Sequence, residues 1–204
     1  FLLVLLYTYI SHPCISQKKG IKFGIVSRDE VQMEHYSHDS AAHAVVLYDY
    51  GYFNGTEGKF TRHVRIKILT SAGTSFSNFV IQSPARSDIR GFTYNYEMQE
   101  ISKTKLDNEN IYKEEIINGF GLYKIFFPNV REGTVIDLEY SHFGLPFEWR
   151  FQDIIPTIRS ELILEDSRYI TYKKAFYGFE QIQTIRNNHW IAENIPALRH
   201  EPYM

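Results

Sequence analysis

The chain of 204 residues carries 22 Lys and Arg against 24 Asp and Glu, a formal net charge of -2, with 44% hydrophobic and 23% charged residues. That balance excludes an intrinsically disordered chain, which combines low hydrophobicity with high net charge. The scattered Lys and Arg argue against the basic stripe that a nucleic-acid binder uses to neutralise phosphates.

At the start, Phe1 to Ile10 is continuously apolar and is broken by Ser11, His12 and Pro13. The run is too short to cross a bilayer as a helix, which takes about 20 residues, so no transmembrane span is expected. It has the length of the apolar region of a secretory signal peptide. Cys14-Ile15-Ser16 places small residues at the -3 and -1 positions, which predicts cleavage between Ser16 and Gln17. Residues 1–16 are therefore read as a signal peptide truncated at its start, and a buried first strand is the other reading. Cys14 is the only cysteine and cleavage removes it. The mature chain then has no disulfide, no thiolate nucleophile and no cysteine-based zinc site. Pro13 sits where a lipoprotein signal carries a small residue, which disfavours a lipid anchor on Cys14.

Lys18-Lys19-Gly20 is a short lead. Ser27 followed three residues later by Glu30 has capping-box spacing and predicts a short helix over Ser27 to Met33. His35 to Ser40 reads as a loop. Ala44 to Tyr50 predicts a strand, Asn54-Gly55 and Glu57-Gly58 a turn, and His63 to Leu69 a strand with Val64, Ile66 and Ile68 inward and Arg65 and Lys67 outward. Ser71 to Thr74 is expected to be a hairpin turn into a strand over Phe76 to Ile81, followed by a loop from Pro84 to Asp88. Gly91 to Glu97 and Ile101 to Leu106 are strands around a turn at Met98-Gln99-Glu100. After a polar break at Asp107 to Asn110 come strands over Ile111 to Ile117 and Leu122 to Phe127.

Phe127-Pro128-Asn129-Val130-Arg131-Glu132-Gly133 then turns the chain into the clearest strand, Val135 to His142. Its alternation puts Ile136, Leu138 and Tyr140 on a core face and Asp137, Glu139 and Ser141 on a face assigned to solvent. Further strands are expected over Glu148 to Ile155, Ile158 to Leu164, Tyr169 to Phe176, Phe179 to Arg186 and His189 to Ala192. About a dozen short strands with turn signals between them, and no long helical periodicity, predict an all-β, antiparallel sandwich-like domain with one short N-terminal helix. No linker divides the mature chain, so residues 17–192 are read as one domain and residues 193–204 as the start of a linker.

The candidate chemistry is sparse. His35, His38 and His43 with Asp39 have metal-ligating side chains, but neither helical nor alternating spacing; they read as polar loop residues, and no metal or other cofactor is expected. His142 continues the inward face of its strand and reads as a hydrogen-bonded packing residue. Asp137 and Glu139 share a face assigned to solvent. Glu148 and Asp153 flank Trp149 and Phe151, the best place for an acid–base carboxylate beside an aromatic platform. A nucleophile elbow, a P-loop, a dinucleotide glycine set and a His-Glu-x-x-His motif are all missing. The fifteen Tyr and fifteen Phe read first as strand packing and second as a stacking surface for sugars or peptides, with Trp149, Phe151, Tyr48 and Tyr50 as candidates. Asn54-Gly55-Thr56 is a sequon, and Asp39-Ser40-Ala41 matches a short bacterial O-glycosylation acceptor.

In order along the chain, Asp39 to Asp49, Arg65 to Thr70, Thr93-Tyr94-Asn95, Lys103 to Leu106 and Phe127 to Ile136 resemble the family of the domain of unknown function numbered 3857. So do Trp149 to Pro156, Glu193 to Leu198 and Glu201-Pro202-Tyr203-Met204. The resemblance covers nearly all of the mature chain. It implies an exported bacterial β-sandwich domain, periplasmic or at the cell surface, commonly followed by a transglutaminase-like domain whose Cys-His-Asp set would lie beyond Met204. It brings no catalytic residues to this chain. Together these readings point to a non-catalytic accessory module that recognises a peptide or glycan for a downstream peptidase-like domain. The alternatives are a hydrolase in its own right, with Glu148 or Asp153 as acid or base, and a structural spacer.

Overall fold

The computed structural model of the chain describes residues 21–84, 88–117, 120–146, 148–168, 173, 175 and 181–199. The expected signal peptide with Cys14, the lead Lys18-Lys19-Gly20, the loop at 85–87 and residues 200–204 lie outside them, as do most of the strand expected over Tyr169 to Phe176 and the first residues of the one expected from Phe179.

The helix α1 (Arg28–Gln32) precedes strands β1 (Ala44–Asn54), β2 (Lys59–Ile68), β3 (Asn78–Pro84), β4 (Asp88–Glu97), β5 (Glu100–Lys105) and β6 (Ile111–Ile117). Then come β7 (Phe120–Phe126), β8 (Val135–Phe143), β9 (Thr157–Leu164), β10 (Gln183–Arg186) and β11 (His189–Ile195). Eight strands form one sheet in the order β10-β11-β9-β1-β2-β8-β4-β5, and three form a second in the order β3-β7-β6. The fold is an all-β sandwich with unequal layers. Its pairs are antiparallel except β1 with β9, which run parallel in register Asp49 to Ser160 and Gly51 to Leu162. A parallel pair needs a long crossover, and here everything from β2 to β8 intervenes.

Local chemistry explains several elements. The Ser27 hydroxyl accepts from the Glu30 amide at 3.2 Å while the Glu30 carboxylate accepts from the Ser27 amide at 2.6 Å, closing the capping box that starts α1. Asn54 accepts the amides of Thr56 and Glu57, both at 3.0 Å, to turn β1 into β2. Met98 and Gln99 both take positive φ (48° and 67°), the backbone of a two-residue hairpin turn between β4 and β5.

Two expected elements differ. Ser71 to Thr74 is no hairpin turn: Ser71–Ser77 is a 3-10 helix that carries the chain from one sheet to the other, so β3 pairs with β7 rather than with β2. A Cβ on Gly73 would lie 2.1 Å from the His43 carbonyl oxygen, and this close backbone approach seats the turn against the start of β1. Glu148 to Ile155 forms no strand. Its polar groups bond outside a ladder, with Gln152 Nε2 donating to the Pro196 carbonyl at 3.0 Å and the Asp153 carbonyl accepting from Leu198 N at 2.7 Å.

The inner face of the large sheet carries Val46, Val64, Ile66, Ile136 and Leu138, and packs with Ile81, Tyr123, Ile125 and Phe127 of the small-sheet side. Beyond the reach of those three strands, Leu145, Trp149 and Phe151 cover Phe53, Phe60, Leu162 and Trp190. The outer face is not solvated where the alternation assigned it to water. Arg65, Lys67 and Asp137 are buried there, at 1%, 1% and 0% exposure. The segment from Lys22 to Tyr36 lies across them, with Val31 and Tyr36 packed against Val45, Leu47, Tyr94 and Val135. An amphipathic helix must bury its apolar stripe, and this face is where α1 does so.

Candidate functional site

Polar groups gather at two places, one on each face of the large sheet. On the outer face, Arg65 lies directly opposite Asp137 across β2 and β8. Its Nε and Nη2 donate to the two carboxylate oxygens, each at 3.1 Å. His63 Nε2 stands 2.6 Å from Asp137 Oδ1, and the Gly24 amide donates to Oδ2 at 2.8 Å. Arg65 also donates to Glu30 Oε1 at 2.8 Å and to the Lys22 carbonyl at 3.1 Å. Burial pushes the Asp137 carboxyl up, but the hydrogen bonds from His63 and Arg65 outweigh it and hold the group below the ordinary carboxylate value. Lys67 donates to the Val31 and Gly133 carbonyls at 2.6 and 2.5 Å, and burial lowers its pKa to about 8.

This cluster has the residue types of an acid–base site, yet His63 is only 4% exposed and lies beneath Phe23, ring edge to face at 5.5 Å. Four of its bonds go to the main chain or α1 carboxylate of the covering segment. What the arrangement does is fasten residues 22–31 to the sheet.

On the inner face, a cleft of about 460 Å³ opens at the seam between the small sheet and the 148–156 loop. One bank is Ser75 to Ile81, the other Arg150 to Thr157, and the floor includes Val46, Val64, Ile66, Asp49, Arg62 and Tyr140. Arg62 donates Nε and Nη2 to the two Asp49 oxygens at 2.8 and 2.7 Å. Burial works against its charge, but Asp49 and the Tyr140 hydroxyl keep the guanidinium protonated. Apolar walls here surround the buried carboxylate of Asp49 and its Arg62 partner, and this cleft is the candidate site.

The four aromatic candidates do not make one platform. Past an irregularity between Val46 and Tyr48, β1 alternates, with Tyr48 and Tyr50 on the outer face and Asp49, Gly51 and Phe53 on the inner one. Tyr48 stacks on Tyr50 at 5.9 Å and meets His63 edge-on at 5.8 Å. Its ring is 2% exposed, its hydroxyl has no hydrogen-bond partner, and burial raises its pKa above the usual phenol value. Tyr50 is half-buried. On the inner face Trp149 sits over Gly51, takes the Arg62 guanidinium at 4.9 Å and donates Nε1 to Ser160 at 3.1 Å. Phe151 is buried at 7% exposure and packs edge-on against Trp149 at 6.4 Å. Tyr48 and Phe151 therefore offer no open face to a ligand, and Trp149, packed over Gly51 and against Arg62, lies outside the cleft lining.

Glu148 is exposed and pairs with Arg150 at 2.7 Å, outside the cleft lining. Asp153 does line the cleft, with Oδ1 accepting the Ile154 amide at 2.7 Å. Asp137 belongs to the buried cluster, and Glu139 pairs with Arg90. His35, His38 and His43 are exposed; His38 meets Ser37 at 3.3 Å and His43 meets Thr70 at 2.9 Å. Among the described residues no three His, Cys, Asp or Glu side chains are placed to hold a metal ion. His142 is the hydrogen-bonded packing residue expected, its Nδ1 3.0 Å from the Phe143 carbonyl and its ring on Phe60. Sequence reasoning missed both the Asp49–Arg62 pair and the Asp137 cluster. The signal for the second was present: His63, Arg65 and Lys67 alternate on one face of β2, and an acidic residue alternates on β8.

The fold is similar to that of a crystal structure from Parabacteroides distasonis described as a "putative protease". The TM-score is 0.61 at 13% sequence identity, and the match covers 79% of this chain and 37% of that one. At that identity the likeness concerns the fold. No family model matches the sequence, and no curated protein matches it. The resemblance to the domain of unknown function numbered 3857 rests on the segments quoted above. None of the helices described is long and apolar enough to cross a membrane.

Proposed function

We propose that this chain is an exported, non-catalytic accessory domain that recognises a peptide or glycan for a transglutaminase-like or cysteine peptidase-like domain downstream in the same polypeptide. The observation that carries the reading is the shared fold, which matches over 37% of a longer chain described as a "putative protease". The resemblance to the numbered domain family agrees with it, as does a cleft in which Asp49 is engaged by Arg62 and Asp153 by the Ile154 amide. The apolar run at Phe1 to Ile10 supports export, to the periplasm or cell surface. No residue is assigned a catalytic role.

The test is to read the coding sequence beyond Met204 and to assay both products. A Cys, His and Asp set in a transglutaminase-like context is expected, with hydrolysis of a casein or peptidoglycan substrate by the longer protein and none by residues 17–204. A stop codon there, or hydrolysis by residues 17–204 alone that is lost in Asp153→Asn, overturns the reading.

A further inference from the structure

We propose that the free edge of β3 takes an extended peptide as a fourth strand of the small sheet, with its main chain along Asn78 to Ile81 and an apolar side chain in the seam cleft. The proposal deepens the recognition reading above, on which it rests, by choosing a peptide as the ligand.

Three observations carry it. First, the cleft is lined by Asn78, Phe79, Val80 and Ile81 in succession. Consecutive strand residues point to opposite faces, so a cavity that touches four in a row meets the edge of the strand. Here Ile81 is buried in the core while Val80 is 64% exposed. One edge of β3 pairs with β7, and among the described residues no strand lies beside the other.

Second, the composition of that edge is unusual within this fold. Among the described residues the two sheets end in four edge strands, β10, β5, β3 and β6. β5 carries Glu100, Lys103 and Lys105, β6 carries Lys113, Glu114 and Glu115, and β10 carries Arg186. Charges on edges block pairing with another chain. β3, Asn78-Phe79-Val80-Ile81-Gln82-Ser83-Pro84, has none.

Third, the surroundings specify the occupant. The Asn78 amide donates to the Ser75 carbonyl, and beyond it the backbone groups that β3 turns away from β7 are matched by another extended main chain, which is how strand-adding domains bind peptides. The opposite bank and floor are apolar at Ile155, Ile66, Val64 and Val46, beside two arginines and two aspartates, Arg62, Arg150, Asp49 and Asp153. Charge is balanced there and Arg62 is neutralised by Asp49, so the segment bound is uncharged and apolar at alternate positions. Four edge residues at about 3.3 Å each span roughly 13 Å, the length of about four peptide residues.

The experiment is an amide NMR titration of residues 17–204 with a blocked hexapeptide of alternating valine and serine. Two further hexapeptides, N-methylated at the valines or at the serines, and a chitin hexasaccharide complete the set. Saturable shifts centred on Asn78 to Ile81 and on the 150–157 loop are expected, with affinity at least tenfold weaker for one of the methylated peptides. Val80→Lys, an exposed position that leaves the fold intact, is expected to weaken binding at least tenfold. Equal affinity for all three peptides means side-chain capture and overturns strand addition. Binding of the hexasaccharide alone overturns the peptide while leaving the accessory reading standing. β3 pairing with β3 of a second copy, seen as a concentration-dependent dimer that excludes the peptide, overturns the proposal, and so does no binding by any probe. The accessory reading itself is decided by the coding sequence beyond Met204.

Discussion

Arg65 and Asp137 face each other across β2 and β8 with 1% and 0% of their side chains exposed, joined by two hydrogen bonds of 3.1 Å. A buried pair is costly to desolvate, and replacing both members by apolar residues is often neutral, whereas removing one leaves an uncompensated charge. Asp137→Ala is therefore expected to destabilise the domain by about 3–5 kcal/mol, because Arg65 and the Gly24 amide lose their acceptor. Arg65→Met with Asp137→Leu is expected to lie closer to wild type than either single change. Urea unfolding followed by circular dichroism measures wild type, the three single variants and the double variant. A double variant as weak as the sum of the singles would mean that the cluster holds the covering segment by its charges and not by shape.

The same pair sets the acid limit. The Asp137 pKa is held below that of the unfolded chain, so its contribution is fully present above the unfolded value, about 4, and is lost as pH falls through the folded value. Below pH 4 the wild-type urea midpoint is expected to drop more steeply than that of Asp137→Asn. Parallel curves would mean that other carboxylates govern acid unfolding.

How much of this was legible follows from which rule each element obeys. The helix at Ser27 and the hairpin turns at 54–58 and 98–99 are local, set by capping and turn chemistry, and were readable. The strands β2 and β8 announced themselves by alternation, and the others by short β-forming runs between turn signals. Alternation gives two faces, however, and not what covers them. Asp137 and Arg65 read as solvated because the covering segment, residues 22–36, belongs to another part of the chain. The imbalance of eight strands against three was equally hidden, and the cleft exists only because of it. Trp149 and Tyr48 looked alike as aromatic candidates; the irregularity after Val46 fixes which side of β1 each tyrosine takes, and the chain marks it with no glycine or proline.

Lys67 gives a prediction of opposite sign at alkaline pH. Burial lowers its folded pKa to about 8 from an ordinary 10.5. Between those values the unfolded chain binds the extra proton, so stability rises with pH in that window. Wild type is expected to gain on the order of 1 kcal/mol between pH 8 and 9.5, and Lys67→Met to gain nothing. The window ends below pH 10 because burial raises Tyr48 and Tyr94, whose retained protons then favour the unfolded chain as pH climbs. A wild-type midpoint that falls from pH 8 to 9.5 would contradict the burial of a charged Lys67.

Gly51 tests whether Trp149 is packed on the sheet or is a freely presented ring. A Cβ at position 51 would stand 2.5 Å from Trp149 Cζ3 and 2.9 Å from Leu162 Cδ1, so both must give, the ring by more. Trp149 belongs to the 148–156 loop, whereas Leu162 is fixed in β9 between β1 and β11. The ring is therefore the part that yields most, losing its bond to Ser160 and its place against Arg62. Gly51→Ala is expected to cost about 1–3 kcal/mol, the usual range for overpacking. In a Trp190→Phe background, where Trp149 alone reports, its fluorescence is expected to shift to the red. Because the same loop forms one bank of the cleft, affinity for the valine–serine hexapeptide is expected to fall with it. An unshifted emission with unchanged stability would mean that Trp149 is not packed on Gly51.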